Sequence, residues 1–294
     1  MTSKQKGILC ITASSFFFAL MNLFVRLSGD LPAMQKSFFR NAVALIFAAV
    51  LLFRERPSLS LTPKSKRDLF WRALFGTVGV LCNFYSVDHL VLADASMLNK
   101  MSPFFAVLFA IFLLKEKPSR FQSISIFIAF LGVLCIVKPT GNLNLFPAFI
   151  GLMGGVTAGA AYTYVRSLGK QGVAGPFIVF FFSAFSCIVL LPFLVLDYHP
   201  MTWSQLGILL LAGLSAAGGQ FTITAAYCYA PAREISVYDY FQIPFSALLG
   251  FLVFGQIPDW LSWIGYAIIC TTAVAMFLHT TQQTNDTNQQ KGGS

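Results

Sequence analysis

Long apolar segments separated by short polar gaps dominate this sequence and limit the folds open to it. The segments cover residues 7–25, 37–53, 69–87, 95–114, 124–137, 146–165, 176–196, 206–228, 235–254 and 260–278. A helix needs about 20 apolar residues to cross the hydrocarbon core of a bilayer. In lipid, only helices and closed barrels satisfy every backbone polar group. The pattern therefore predicts an all-α integral membrane protein with ten transmembrane helices, one for each segment.

Composition agrees with a membrane protein and argues against a nucleic-acid-binding one. Hydrophobic residues make up 56% of the 294 residues and charged residues 11%, against about 25% charged residues in soluble domains. The net charge of +9 would fit phosphate binding if the basic residues shared one soluble face. They lie instead in the gaps between apolar segments, so we expect contact with the lipid bilayer and no nucleic-acid partner.

The distribution of basic residues predicts the orientation of the chain. Alternate gaps contain most of the Lys and Arg residues, in the ranges 54–72, 115–120 and 166–170 and at Arg233. The intervening gaps are mostly acidic. Cytoplasmic loops of membrane proteins are enriched in Lys and Arg. We therefore predict a multi-pass protein of the cell (cytoplasmic) membrane with both termini in the cytoplasm.

Short matches at one spacing indicate an internal repeat. Residues 23–29 read LFVRLSG and residues 163–169 read TYVRSLG. Residues 102–114 align with residues 243–254 through a shared Pro-Phe pair, at nearly the same spacing. Self-similarity at a fixed period is the sequence signature of duplication.

The repeat divides the predicted helices into two groups. With five helices in each half, the second half inserts upside down relative to the first, as in many transporters. We predict two inverted five-helix repeats, residues 1–140 and 141–280, around a central cavity. Residues 281–294 are rich in Gln, Asn and Thr and have no apolar face. We expect this last segment to be a disordered cytoplasmic tail.

Two segments of the sequence resemble a known transporter family. Residues 95–118 read ASMLNKMSPFFAVLFAIFLLKEKP, and residues 229–259 read YAPAREISVYDYFQIPFSALLGFLVFGQIPD. Together with the two groups of five helices, these segments resemble the EamA family of the drug/metabolite transporter superfamily. The resemblance implies a central cavity lined by the fourth and ninth helices. It also implies an acidic residue after each of these helices; the first half has Glu116 there, whereas the second half has Gln256.

Polar residues inside the predicted helices are the candidates for a substrate site. A polar stripe in an apolar helix faces protein or water, because facing lipid is costly. Each stripe precedes a proline, which frees the carbonyl four residues earlier. Packing contacts between helices are the alternative role, above all for the serines. The candidates are Ser96, Asn99 and Lys100 in the fourth helix, Ser236, Tyr238, Asp239, Tyr240 and Gln242 in the ninth, and Asn22, Tyr162 and Gln220 in the first, sixth and eighth.

Lys100 and Asp239 are the two charged candidates, and helix geometry predicts that they stand apart. At a rise of about 1.5 Å per residue along continuous helices, their depths differ by on the order of 10 Å. We expect them to bracket the cavity, where an amino acid could bridge them, with its carboxylate at Lys100 and its ammonium towards Asp239. Asp239 is also a candidate for proton coupling, because a buried carboxyl can take up a proton. Arg40 lies near the predicted outer face, where we expect it to extend to the headgroups; the alternative is that it contributes to the wall of the cavity.

The sequence gives little support for catalysis. The small residues around Ser215 are explained by close helix packing, and motifs for nucleotides or for a catalytic metal are absent. We expect no catalytic residue, cofactor or metal site. The predicted function is secondary, non-ATP transport of a small organic metabolite by alternating access. An amino acid or amino-acid-like compound is the preferred substrate, and a membrane scaffold or receptor without transport activity is the alternative.

Overall fold

The protein is described by a computed structural model over residues 3–55, 61–113, 120–137, 145–229 and 236–292. All regular elements in these residues are helices, which confirms the all-α prediction for this part of the chain. The α-helices are α1 Ser3–Leu27, α2 Ala33–Glu55, α3 Pro63–His89, α4 Leu92–Asn99, α5 Ser102–Leu113, α6 Arg120–Val137, α7 Leu145–Lys170, α8 Gly175–Leu196, α9 Trp203–Tyr229, α10 Gln242–Phe254 and α11 Trp260–Gly292, and a 3₁₀ helix covers Ser236–Phe241.

Six helical segments are long and apolar enough to cross a membrane: Gln5–Leu27, Ala33–Glu55, Leu145–Lys170, Gly175–Leu196, Trp203–Ile223 and Val237–Phe254. Shorter apolar helices cover Ser123–Ile136 and Trp260–Met276. Large apolar side chains stay exposed on them, such as Phe53 at 80% and Leu196 at 86%. Soluble proteins rarely expose broad apolar surfaces. The chain is a multi-pass membrane protein, and the number of ten spans stays a prediction.

The two predicted halves pack against each other through equivalent helices. The most extensive contacts join α1 to α9 and α3 to α7. Helices α1 and α7 are the first helices of the two predicted halves, and α3 and α9 are the third. The first helix of each half therefore packs on the third helix of the other half. The second helices, α2 and α8, also pack together, as do the fifth helices, α6 and α11. The core therefore lies between the halves.

Two of the predicted membrane segments are interrupted. The segment predicted at 95–114 consists of α4 and α5, separated at Lys100 and Met101. The segment predicted at 235–254 begins as the 3₁₀ helix and becomes α-helical only at Gln242. Pro103 and Pro244 follow these changes, and a proline neither donates to the carbonyl four residues earlier nor fits against it. The expectation of continuous helices is wrong at both places, although the prolines that cause the interruptions were recognised.

Glycines of α7 allow the interrupted α4–α5 segment to approach its backbone. A methyl group at Gly155 would lie 2.6 Å from the Leu98 carbonyl oxygen. One at Gly159 would lie 2.8 Å from the Ser102 carbonyl oxygen. Small residues let membrane helices approach closely. The segment that carries Lys100 is thus seated directly on α7.

At one end of the bundle, four hydrogen bonds that involve glutamine side chains join the two halves. We call these four bonds the rim. Gln35 Nε2 donates to the His199 carbonyl at 2.9 Å, and His199 N–H donates to Gln35 Oε1 at 3.1 Å. Gln205 Nε2 donates to the Ser28 carbonyl at 3.2 Å. Leu92 N–H donates to Gln256 Oε1 at 3.1 Å. Each bond joins the first half to the second.

The last helix extends beyond the predicted membrane segment. Helix α11 continues from Trp260 to Gly292, and the disordered cytoplasmic tail at residues 281–294 stays a prediction. No proline or glycine interrupts residues 266–291, and such a stretch can continue a helix that tertiary packing has already started. Residues 293 and 294 lie outside the described part.

Candidate functional site

The backbone interruptions place opposite charges next to each other at the boundary between the halves. Lys100 follows the last residue of α4, and Asp239 lies in the 3₁₀ helix. Lys100 Nζ lies 2.5 Å from Asp239 Oδ2, and the two side chains are 9% and 20% exposed. The prediction that these charges stand apart is therefore wrong.

The error has a geometric cause. A depth counted along the backbone leaves out the reach of the side chains. Over the three steps from Ser236 to Asp239, the 3₁₀ helix adds only about 1.5 Å to the rise of an α-helix. The long Lys100 side chain therefore covers most of the distance to Asp239.

Two further side chains complete this arrangement, which we call the interface cluster: Ser15, Lys100, Asp239 and Tyr240. The single hydroxyl proton of Ser15 has several acceptors within reach: the Ile11 carbonyl of its own helix at 3.0 Å, the Asp239 carbonyl at 3.1 Å and Asp239 Oδ1 at 3.3 Å. Tyr240 Oη donates to the Lys100 carbonyl at 3.2 Å. The cluster therefore joins α1, the α4–α5 interruption and the 3₁₀ helix. Sequence reasoning missed Ser15, although a serine pair at 14–15 inside an apolar segment was a usable signal.

A buried chain of amides and hydroxyls links four helices close to the same interruption. Asn83 Nδ2 donates to Asn22 Oδ1 at 3.1 Å, and Asn22 Nδ2 donates to Ser96 Oγ at 3.3 Å. Ser96 Oγ lies 2.8 Å from Ser246 Oγ. All of these side chains are buried. Asn22 and Ser96 thus hold helices together in this conformation, which is the packing role weighed for the serines.

The other candidates of the interrupted helices lie around the interface cluster. Asn99 is partly buried at the end of α4. Tyr238 packs in a small apolar cluster with Ile11 and Ala226. Gln242 is 5% exposed at the start of α10. The side chain of Ser236 is not among those described.

Tyr162 and Gln220 lie in different surroundings. Tyr162 is 52% exposed and follows Gly159 by one turn of α7, where that helix packs on Ser102 and Phe105. Gln220 lines a cavity of about 240 Å³ between α2, α8 and α9. No residue of the interface cluster lines that cavity. The structure thus brings Tyr162, but not Gln220, towards the predicted site.

Two arginines occupy positions that the sequence did not predict. Arg40 is 4% exposed and Arg72 is 8% exposed. The expectation that Arg40 extends to the headgroups is wrong, because its guanidinium is held inside the bundle by Asn41 Oδ1, at 2.7 Å from Nη1. Arg72 was assigned to a basic loop, yet it lies in the third turn of α3. Loop composition alone does not show where a helix begins.

Other chemical features of the chain are limited. Within the described residues, no group of three or more His, Cys, Asp and Glu side chains is placed to hold a metal ion. Gln256 binds the backbone of Leu92 at 3.1 Å, so the residue in place of the second acid supports α4. Glu116 lies outside the described residues.

Comparison with known proteins agrees with this architecture. A model of the EamA-like transporter family matches residues 5–138 and, a second time, residues 145–278. The chain belongs to the EamA-like transporter family. The two matches cover nearly the whole chain, so the resemblance seen in the two quoted segments is confirmed.

Relatives of this EamA-like chain are named as transporters. It is 32% identical to the pseudopaline exporter CntI of Pseudomonas aeruginosa, over 92% of this chain and 96% of the exporter. It is 25% identical to the riboflavin transporter of Rhizobium johnstonii, over 91% of this chain and 89% of that protein. Human solute carrier family 35 member G1 is also 25% identical, over 91% of this chain and 77% of its own length. These names support small-molecule transport by the EamA-like chain.

A solved crystal structure supports the fold. It has a TM-score of 0.65 to this EamA-like chain and covers 95% of it, with 99% of its own length covered, at 15% identity. A likeness at this identity concerns the architecture alone.

Proposed function

We propose that the chain is a secondary transporter that moves a small organic solute across the cell membrane by alternating access, without ATP. The observation that carries this proposal is the Lys100–Asp239 ion pair, which joins the two interrupted helices across the boundary between the halves. Charged side chains inside a membrane are costly and mark substrate or ion pathways. Interrupted helices at a repeat interface are a common form of transporter substrate site.

The proposed architecture is ten spans in two inverted repeats around a central cavity. Reciprocal packing supports it, since α1 packs on α9 and α3 packs on α7. A two-fold relation between the halves would produce contacts of this kind. In the proposed cycle the halves rock against each other and expose the interface cluster to one side of the membrane at a time. In the proposed orientation, both termini lie in the cytoplasm.

We propose an amino acid or amino-acid-like compound as the solute. In the structure Lys100 and Asp239 satisfy each other, so the solute must compete with an existing pair instead of bridging two separated charges. A zwitterion can do this, because its carboxylate replaces Asp239 beside Lys100 while its ammonium replaces Lys100 beside Asp239. The exchange breaks one charge-assisted hydrogen bond and forms two with the solute, so each protein charge keeps a partner of this strong kind.

The test is an untargeted flux measurement, because it presumes neither the solute nor the direction. Purified protein is reconstituted in vesicles loaded with a bacterial metabolite extract, and the solutes that leave are identified by mass spectrometry. We expect an amino-acid-like compound to leave faster than from empty vesicles. Retention of every solute, with the protein folded, would contradict the proposal and favour a scaffold or receptor role.

A further inference from the structure

The two buried arginines form a site that the interface cluster does not explain. Arg72 Cζ lies 4.0 Å from the centroid of the Phe182 ring, and Arg40 Cζ lies 5.9 Å from the same centroid. The three residues come from α2, α3 and α8. We call Arg40 and Arg72 the arginine pair, and Phe182 its ring.

The charges of the arginine pair have no counter-charge in the described part of the chain. Arg72 Nε and Nη1 and Arg40 Nε are buried without a hydrogen-bond partner there. The two guanidinium groups also repel each other electrostatically. Burying one unpaired charge costs several kcal/mol, and here two share one ring. Such an arrangement persists when function requires it.

The acidic residues inside the bundle have other partners. Asp239 is paired with Lys100. Asp88 binds Lys36 at 2.7 Å. Asp68 accepts from Ser167 Oγ at 2.7 Å and from Gln171, and Asp94 accepts from Tyr266 Oη at 2.6 Å. None of these contacts supplies a carboxylate partner to Arg40 or Arg72.

The surroundings of Arg72 fix the plane of its guanidinium group. Gly76, one turn later in α3, leaves room for it: a methyl group there would meet Arg72 Nη1 and would lie 2.8 Å from the Phe182 ring. Stacking on an aromatic ring holds a guanidinium by cation–π attraction while its edge stays free to donate. The planar group is thus oriented before any ligand arrives.

Tyr162 lies on the helix that connects this pair to the candidate site. Its side chain is half exposed, and it lies on α7, one turn after Gly159, which packs on Ser102 and Phe105 just after the α4–α5 interruption. Helix α7 also packs along α3, which carries Arg72. Helix α7 therefore connects the surroundings of the arginine pair with those of the interface cluster.

We propose that Arg40 and Arg72 bind a carboxylate of the transported solute, in addition to the zwitterionic group at Lys100 and Asp239. This inference rests on the proposed function, because it assumes that the transported solute passes the arginine pair. A carboxylate accepts two parallel hydrogen bonds from a guanidinium, the most favourable geometry for this pair of groups. The substrate class is therefore narrowed to acidic amino-acid-like compounds, which carry at least one carboxylate more than a neutral amino acid.

The test uses probes that differ by one carboxylate. Thermal unfolding of the full chain in nanodiscs of phosphatidylcholine is measured with glutamate, glutamine, succinate and inorganic phosphate. We expect glutamate and succinate to raise the unfolding midpoint of the wild type, and glutamine to raise it less. In Arg72→Met and Arg40→Met, we expect apparent glutamate affinity to fall by about tenfold or more, as for a lost charge-assisted hydrogen bond. Arg67→Met is the matched control, because Arg67 lies on the same helix with its side chain 68% exposed.

A second readout separates ligand binding from a structural role. Without a probe, Arg72→Met should unfold at a higher temperature than the wild type, because the variant removes an unpaired buried charge. If Arg72 instead supports the fold, this variant unfolds at a lower temperature, and the proposal is overturned. Gly76→Ala keeps the charge but displaces the guanidinium group, so we expect it to weaken glutamate binding as well.

Further outcomes decide between anion sources. The proposal is overturned if glutamate and succinate produce no shift in the wild type, or if phosphate alone produces one. It is also overturned if phosphatidylglycerol nanodiscs reproduce the arginine-dependent shift, since a lipid headgroup then occupies the site. Binding that depends on both arginines without flux in vesicles would leave this inference standing and refute transport. Flux that is unchanged in Arg40→Met and Arg72→Met would refute the inference and leave transport standing.

Discussion

The two interrupted helices hold opposite charges in unequal surroundings. On the first-half side, every residue from Leu92 to Leu98 is buried, and α4 is seated on the glycines of α7. On the second-half side, residues 237–240 are only partly buried, Phe241 is 45% exposed, and the backbone is a 3₁₀ helix. Such helices have poorer hydrogen-bond geometry than α-helices. We therefore call α4 with Lys100 the fixed side, and the 3₁₀ helix with Asp239 the deformable side.

The comparison leads to a prediction of which side moves when the ion pair opens. Segments with few buried contacts and weak backbone hydrogen bonds open at the lowest free energy. We expect a solute that separates Lys100 from Asp239 to displace the 3₁₀ helix before it displaces α4. The following variants test this difference, from the largest expected effect to the smallest.

Removing the charge from the fixed side should have the largest effect. Lys100→Met leaves Asp239 as a buried carboxylate without its cation, and we expect a loss of about 3–5 kcal/mol in the free energy of unfolding. Chemical unfolding in detergent measures it. The double variant Lys100→Met/Asp239→Leu should recover most of this stability and remain inactive in flux. Equal stability of Lys100→Met and the wild type would show that the pair contributes nothing.

Neutralising the deformable side should cost less stability and alter energy coupling. Asp239→Asn leaves the buried Lys100 without its counter-charge but keeps a hydrogen-bond acceptor for it, so we expect a loss of about 2–3 kcal/mol, at or below the lower end of the range for Lys100→Met. If Asp239 carries the coupled proton, this variant stops responding to an imposed pH gradient and still exchanges solute across vesicles. Flux that continues to follow the pH gradient assigns proton coupling to another group.

Disturbing the support of the fixed side should be moderately destabilising. In Gly159→Val the new side chain meets the Ser102 carbonyl and the Phe105 side chain, and overpacking of this kind costs about 1–3 kcal/mol. The matched control is Gly169→Val in the same helix, where a methyl group meets nothing within 4 Å. Thermal unfolding of both variants should separate packing from the change in helix propensity between glycine and valine, which both variants share. Similar midpoints would show that α4–α5 is not held by α7.

Removing the Tyr240 hydroxyl, which joins the two interruptions, should have the smallest effect on the free energy of unfolding. Tyr240→Phe removes the hydrogen bond to the Lys100 carbonyl, and we expect a loss of about 1 kcal/mol. Tyr238→Phe is the control, since its hydroxyl makes no hydrogen bond within the described residues and its ring packs on Ile11. A loss in Tyr238→Phe equal to that in Tyr240→Phe would argue against the role given to this bond.

The helical membrane fold follows from the apolar segments because hydrophobic length is a local property that a sequence displays directly. Pro103 and Pro244 also indicated where backbone carbonyls are freed. What happens to the chain after each proline depends on tertiary contacts, such as the α7 glycines, and no local pattern contains them. The depths of Lys100 and Asp239 were therefore counted along helices that do not continue.

Arg72 shows a different limit of sequence reasoning. A basic residue near the start of a membrane helix looks the same whether it faces the cytoplasm or the interior of the bundle. The difference depends on Phe182 and Gly76, and Phe182 is distant in sequence. Ser246 was missed for a related reason, since a serine in an apolar helix gains its meaning only from Ser96 opposite it.

The rim favours the conformation in which the halves are closed at that end of the bundle. Its four hydrogen bonds join the halves at one end, and separating the halves there breaks all of them together. At about 1 kcal/mol each, they lower the population of a conformation open at that end by roughly a thousandfold relative to a protein without them. The rim partners are neutral amides and backbone groups, so acidity and ionic strength act on this end only through other contacts, such as the bond from Tyr266 Oη to Asp94 Oδ1. The balance between conformations therefore depends in part on groups outside the interface cluster.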